Sequence, residues 1–164
     1  MKKILILITI LISITSCKKE TEKEMIEQFI IDVFNEQVNP ETIVKNYIEI
    51  NLDIDTKVTL KKRKLGYKQL IEETRAGKGV NGIYAFPNYE LKNIQSPIAY
   101  KYENYKHLNT IDCSKFNTVK GRIYAILNPE KTKILSYILL NKVKNKIVSF
   151  SVLAKDNTAY FVQL

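Results

Sequence analysis

Apolar residues fall along this chain in three rhythms, and each predicts a different kind of element. From Ile4 to Ile14 no charge interrupts the run, and only Thr9 and Ser13 are polar. From Met25 onward Met25, Ile26, Phe29, Ile30, Val33 and Phe34 recur at spacings of three and four, with Glu24, Glu27, Gln28 and Asp32 outside the stripe, which predicts a core-facing amphipathic helix. Asn39 and Pro40 supply a cap and a first-turn proline for a second helix, with Glu41 near its positive end and Ile43, Val44, Tyr47 and Ile48 on one face. A third helical pattern starts at Asp55 or Thr56, passes through Leu60, Tyr67, Leu70 and Ile71 to about Arg75, and stops before Gly77 and Gly79; Gly66 weakens its middle.

Past Gly82 the period drops to two. Tyr89 and Leu91, then Ile98, Tyr100 and Tyr102, then Val119, Gly121, Ile123, Ala125 and Leu127 alternate with their neighbours and predict strands. Asn128 to Lys131 reads as a turn, Lys133 to Lys142 as a long strand, Lys144 to Lys146 as a second turn, and Ile147 to Leu153 as an antiparallel return. Asp156 and Asn157 then turn the chain into a last strand, Ala159 to Leu164. Helices first and adjacent strands afterwards predict an α+β fold, with N-terminal helices packed on one face of a curved antiparallel sheet.

The first apolar run follows Lys2 and Lys3 and is too short to span a bilayer, which takes roughly 20 residues. It reads instead as a cleaved export leader. Ile14, Thr15, Ser16 and Cys17 resemble the lipobox of bacterial lipoproteins: an aliphatic residue, two small ones, then cysteine. That resemblance implies a signal peptide over residues 1–16, a lipidated Cys17 opening a charged tether over 17–24, and a single α+β domain over 25–164. It also implies an address, the bacterial cell envelope, with the protein held in a membrane by its N-terminal lipid. Lys18 and Lys19 lack the aspartate associated with inner-membrane retention in some Gram-negative bacteria, which points to the outer membrane, while the same mixed-charge stretch also reads as a solvated linker that carries no address.

Export changes what the charge means. The whole chain carries a net charge of +9, and losing Lys2 and Lys3 with the leader leaves +7 on 148 of the 164 residues. In an envelope compartment such a balance points to an anionic membrane surface or glycan and away from nucleic acid. With Cys17 lipidated, Cys113 has no partner within the chain, so no disulfide scaffold is expected. One remaining cysteine and the single histidine, His107, do not make up a zinc site, and no cofactor motif is present.

Two surface features suit binding. Lys61, Lys62, Arg63, Lys64 and Lys68, with Lys57 before them, fall in an acid-free stretch of the third helix and could meet an anionic surface, or could lay their stems over apolar neighbours with their heads in water. Tyr84, Tyr89, Tyr100, Tyr102 and Tyr105, with Phe86, crowd the middle segment among Lys92, Lys101 and Lys106, and could line a pocket or pack as half-buried strand residues. Catalytic material is thin. His107 lies in a polar segment, Asn104 to Asn109, that reads as a loop; Asp112 and Cys113 lie nearby, and Cys113 could pair with His107 as a thiolate, but nothing in the sequence lowers the thiol pKa, and a free cysteine is usually a small buried hydrophobe.

The order of three helices, a variable middle and a terminal meander, in which Tyr137, Ile138, Leu139 and Leu140 lead through Lys144, Asn145 and Lys146 to Ile147, Val148, Ser149 and Phe150, resembles the cystatin-like, NTF2-like fold of small bacterial lipoproteins. The resemblance implies a sheet curved into a cone under the helices, used by some members for isomerase or dehydratase chemistry and by others for binding alone. The sequence thus leads to a non-catalytic domain for a glycan, small-molecule or protein ligand. An inhibitor or immunity-type protein-contact role and a small NTF2-like isomerase or hydrolase are the alternatives.

Overall fold

A computed structural model describes residues 21–50, 57–77 and 88–164, with the backbone alone at 88 and 89. Cys17, Tyr84 and the expected start of the third helix at Asp55 or Thr56 lie outside those residues. The fold is α+β. Helix α1 (Glu22–Phe34) begins three residues earlier than the apolar stripe alone predicts, because Thr21 and Glu24 form a reciprocal capping box. Helix α2 (Pro40–Tyr47) is capped by the Asn39 side chain, which accepts from Glu41 N, with Pro40 in its first turn as expected. Helix α3 (Leu60–Arg75) starts at a Thr59 cap whose hydroxyl accepts from Lys62 N. A short helix, α4 (Asn88–Lys92), stands where Tyr89 and Leu91 suggested a strand. Two alternating residues are a weak period, and here the burial of Leu91 in the core and the Glu90–Lys133 ion pair at 2.6 Å hold a helical turn against the sheet.

The main sheet runs β1 (Ala99–Lys101), β2 (Arg122–Leu127), β3 (Ile134–Leu140), β4 (Ile147–Ser149), all neighbours antiparallel. A separate hairpin joins β5 (Val152–Lys155) to β6 (Thr158–Phe161) through Asp156 and Asn157, both at positive φ as a two-residue hairpin turn requires. Neither sheet closes into a barrel. The segment after α2 extends the main sheet by one bridge, Ile48 to Ile147, with Glu49 N donating to Ile147 O at 2.8 Å, so the outer edge of β4 is covered.

Alternation along β2 sorts its side chains into two cores on opposite faces. Tyr124 and Ile126 join Phe29, Ile43, Tyr67 and Ile71 beneath the helices. Ala125 and Leu127 join Tyr102, Cys113, Phe116, Val152 and Ala159 on the other face, under the hairpin and two 3-10 turns, Tyr102–Leu108 and Ser114–Thr118. Strand β3 is buried along its whole length, and a register shift against β2 at Ile126 and Leu127 lets Ile134 and Tyr137, three residues apart, share a face. Burial on both faces explains why β3 reads as a continuous apolar run rather than an alternating one.

The single return strand expected over Ile147–Leu153 is broken in two. Phe150 enters the helix-side core against Phe29, ring centroids 5.2 Å apart, while Val152 enters the opposite core. At the break the Ser149 hydroxyl donates to Val162 O. The strand expected from Val119 begins at Arg122, and the one expected through Tyr102 ends at Lys101.

Candidate functional site

Helices α2 and α3 lie side by side and leave a groove between them. Val44, Ile48 and Ile50 form its apolar part, and Lys45, Lys64 and Lys68 with Glu41 form its rim, enclosing about 310 Å³. It shares Glu41, Lys64 and Lys68 with a wider trough along Leu60, Lys61 and Leu65. Helical geometry sets this arrangement. Lys61, Lys64 and Lys68 recur at three and four residues and so share one flank of α3, while Arg63, Tyr67, Leu70, Ile71 and Thr74 turn into the protein.

The structure therefore divides the basic cluster. Lys61, Lys64 and Lys68 come together on the groove, and Lys62 projects from another side of the helix. Arg63 is not a surface residue: it is 3 % exposed, and its Nε donates to Val58 O at 3.4 Å. Leu60, expected in the core stripe, is instead 44 % exposed, and Leu65 is 53 % exposed. Sequence reasoning passed over Leu65 and Lys45. The signal for Leu65 was available, since an apolar residue lying off the Tyr67, Leu70 and Ile71 face has no core to enter. Lys68 reaches Glu41 at 3.6 Å, but the Glu41 side chain is 73 % exposed, so that pair leaves the positive potential largely intact. Lys45, Lys61 and Lys64 form no ion pair among the described residues.

The aromatic cluster is also divided. Tyr102 is 2 % exposed, packed edge-on against Phe116 and Tyr137, so it is a core residue and not a pocket wall. Tyr100 and Tyr105 remain half-buried and pack edge-to-face at 5.1 Å, with the Lys23 and Lys131 ammonium groups over the Tyr100 ring. Tyr89 lies on α4, apart in the chain from that pair.

The groups that could do chemistry are placed in separate settings. The Cys113 thiol sits in the second core, directed at Tyr137 OH at 3.8 Å; Tyr137 OH donates to Asn109 Oδ1 at 2.8 Å, and Asn109 Nδ2 donates to Tyr102 OH at 2.6 Å. Burial pushes the thiol pKa up and holds Tyr102 at about 12, so both groups keep their protons at neutral pH. His107 belongs to a 3-10 turn rather than a loop, is exposed, and stacks on Tyr105 with centroids 6.3 Å apart. Asp112 is exposed and engaged: its carboxylate accepts from Ser114 N at 2.8 Å and Ser114 Oγ at 2.9 Å, which lowers its pKa. Among the described residues no group of His, Cys, Asp and Glu is arranged to hold a metal ion, and no helix is long and apolar enough to cross a membrane.

Fold and surface together define the class: an α+β domain carrying a basic, partly apolar groove between two helices. Set against protein-family models, curated proteins and solved structures, the chain matches none of them.

Proposed function

We propose that the protein is a lipid-anchored bacterial envelope protein whose α+β domain binds an acidic, partly apolar ligand and performs no chemistry of its own. The observation that carries the binding reading is the α2–α3 groove, where Lys45, Lys61 and Lys64 stand without ionic partners among the described residues, beside Val44 and Ile48 and next to the exposed Leu60 and Leu65. Such a surface favours a ligand that brings negative charge and a hydrocarbon part together. The engagement of Asp112 in a turn, the burial of the Cys113 thiol and the exposure of His107 support binding over catalysis.

The anchor reading rests on the charged start, the apolar run and Ile14, Thr15, Ser16 and Cys17. Cys17→Ala is expected to abolish incorporation of labelled fatty acid and to release the protein from the membrane fraction; unchanged incorporation would refute the anchor. For the groove, dihexanoyl phosphatidylglycerol serves as a soluble anionic amphiphile and its phosphatidylcholine counterpart as the neutral control. The residue 18–164 domain should respond to the anionic lipid through the methyl resonances of Val44, Leu60 and Leu65. Lys61→Glu with Lys64→Glu should weaken that response about thirtyfold, since each reversal costs on the order of 1 kcal/mol at a charged surface. Equal responses to both lipids would remove the electrostatic argument.

The alternation of leucine and lysine along the trough also suits an acidic face of another protein, the reading in which this is an inhibitor or immunity-type lipoprotein. The finer fold proposal remains the NTF2-like, cystatin-like arrangement. Leading helices packed on an antiparallel sheet support it, whereas Phe29, Tyr67, Phe150 and Ile138 fill the space a cone would leave open.

A further inference from the structure

Glu22, the first residue of α1, is fastened to the sheet at one end. Its carboxylate accepts from Tyr124 OH at 2.8 Å and pairs with Arg122 Nε at 3.1 Å. Arg122 in turn reaches the β3–β4 turn, donating from Nη1 to Lys142 O at 2.8 Å and from Nη2 to Asn145 Oδ1 at 3.4 Å. The turn and the point where the chain enters the domain are therefore neighbours, joined through one guanidinium.

That turn has an unusual tip. Val143 is 87 % exposed, the most exposed of the large apolar residues described, and it is flanked by Lys142, Lys144 and Lys146. Lys144 pairs with Glu49 at 2.8 Å and Lys146 donates to Asn46 O, so two of these side chains are directed back toward the α2 end, while Lys142 forms no ion pair among the described residues. The Asn141 side chain accepts from Val143 N at 2.7 Å and Lys144 N at 3.0 Å, which fixes the turn with its valine outward.

Length of chain decides what this tip meets. Five residue steps separate Cys17 from Glu22, and at most about 3.6 Å per step they reach roughly 18 Å. A domain lipidated at Cys17 cannot stand further than that from the headgroups at its α1 end. We infer that the β3–β4 turn is a membrane-contacting tip: Val143 enters the interfacial layer and Lys142 beside it meets anionic phospholipid headgroups, seating the anchored domain in one orientation. The inference rests on the lipidation of Cys17. Each lysine held near an anionic surface strengthens contact by roughly fivefold, and the lipid supplies residence that so small a surface would not achieve alone.

The test uses the full lipidated chain in vesicles of phosphatidylcholine with or without 30 % phosphatidylglycerol. An environment-sensitive fluorophore is placed at Val143→Cys or, at the other end of the same strands, at Glu130→Cys, which is exposed in the β2–β3 turn. A quencher carried in the lipid should quench the label at 143 and leave the label at 130 unaffected. Quenching at 143 should increase with phosphatidylglycerol and fall about fivefold in its anionic component when Lys142→Glu is added. Acylated, vesicle-bound protein with equal quenching at both positions, or with none at 143, overturns the tip alone. Protein that carries no acyl label at Cys17 overturns the anchor, and the tip with it.

Discussion

Arg75 closes the end of a helix to which it does not belong. The last turn of α1 holds no basic residue, and its terminal carbonyls have no intrahelical donors. The Arg75 guanidinium at the end of α3 supplies them: Nε donates to Val33 O, and Nη2 lies 3.2 Å from Asp32 O, 2.9 Å from Asn35 O and 2.7 Å from Val38 O. One side chain thus ties α1, the loop into α2 and α3 together, and places a cation at the negative end of the α1 dipole. A hydrogen bond to a charged group contributes about 1.5–3 kcal/mol, but Nη2 is shared among three acceptors and the site is half-exposed, so water can replace part of what is lost. Counting about two full bonds at the low end, with roughly 0.5 kcal/mol for the dipole, Arg75→Ala should cost about 3.5 kcal/mol. In a domain of this size that lowers Tm by roughly 10 °C. Arg75→Lys retains the charge and loses the fork, so it should recover about a third of the loss. Urea unfolding of the residue 18–164 domain, followed by circular dichroism, measures both. A loss under about 0.5 kcal/mol for Ala, or a Lys variant as stable as the parent, would refute the carbonyl-capping argument, since the first removes the bonds and the second removes only their geometry.

Two glycines should respond in opposite directions to alanine. At Gly121 a Cβ would fall on the Leu140 carbonyl oxygen and 2.5 Å from Leu139 Cδ1, so Gly121→Ala should destabilise by about 1–3 kcal/mol; at Gly66 it meets only the Leu164 side chain, at 3.2 Å, and gains helix propensity, so Gly66→Ala should be neutral or stabilising by up to about 1 kcal/mol, both read from urea midpoints. Burial raises Tyr102 and Tyr124 to about 12, with Glu22 adding to the shift at Tyr124, so their phenolates should be absent from the 295 nm absorbance titration until well above pH 10. Because those folded-state values exceed the unfolded value, the associated stability is fully present below pH 10 and is lost as pH rises toward 12; phenolate formation for every tyrosine near pH 10 in the folded state would contradict the burial. Cys113, buried and raised in pKa, should react with a thiol reagent far more slowly in the native domain than in urea, and equal rates would show the second core to be open.

Local chemistry carried most of the helical half into the sequence. The Asn39 cap, the Pro40 start and the stripe from Met25 to Val33 are rules of one helix acting on its own residues, and the structure follows them. What the sequence withheld depends on partners far along the chain. Arg63 has the composition of a surface residue and becomes buried because it lies on the same face as Tyr67 and Leu70. Tyr102 alternates like a strand residue, yet it turns inward to meet Phe116 and Tyr137, a core that exists only once the β5–β6 hairpin has folded over the sheet. The groove was legible in part: the lysines of one α3 flank stand out by spacing, whereas Lys45 joins them only through the packing of α2 beside α3.

The second core also bears on function. Covering the far face of the sheet with Tyr102, Phe116, Tyr137 and the hairpin leaves β3 with no exposed residue along its length, so the concavity that remains on the sheet, about 400 Å³, lies at the β1–β2 end beside Lys101, Phe116, Arg122 and Ile123. The same core consumes the thiol of Cys113 and the hydroxyls of Tyr102 and Tyr137 in a closed network through Asn109, where their raised pKa values oppose the ionised forms that nucleophilic or general-base chemistry needs. On the helices, the proposed binding groove between α2 and α3 combines cations that form no ion pair among the described residues with exposed leucines. On the proposed binding reading, a ligand is to be sought among acidic amphiphiles that bind across helices, and substitutions in β3 should alter stability long before they alter binding.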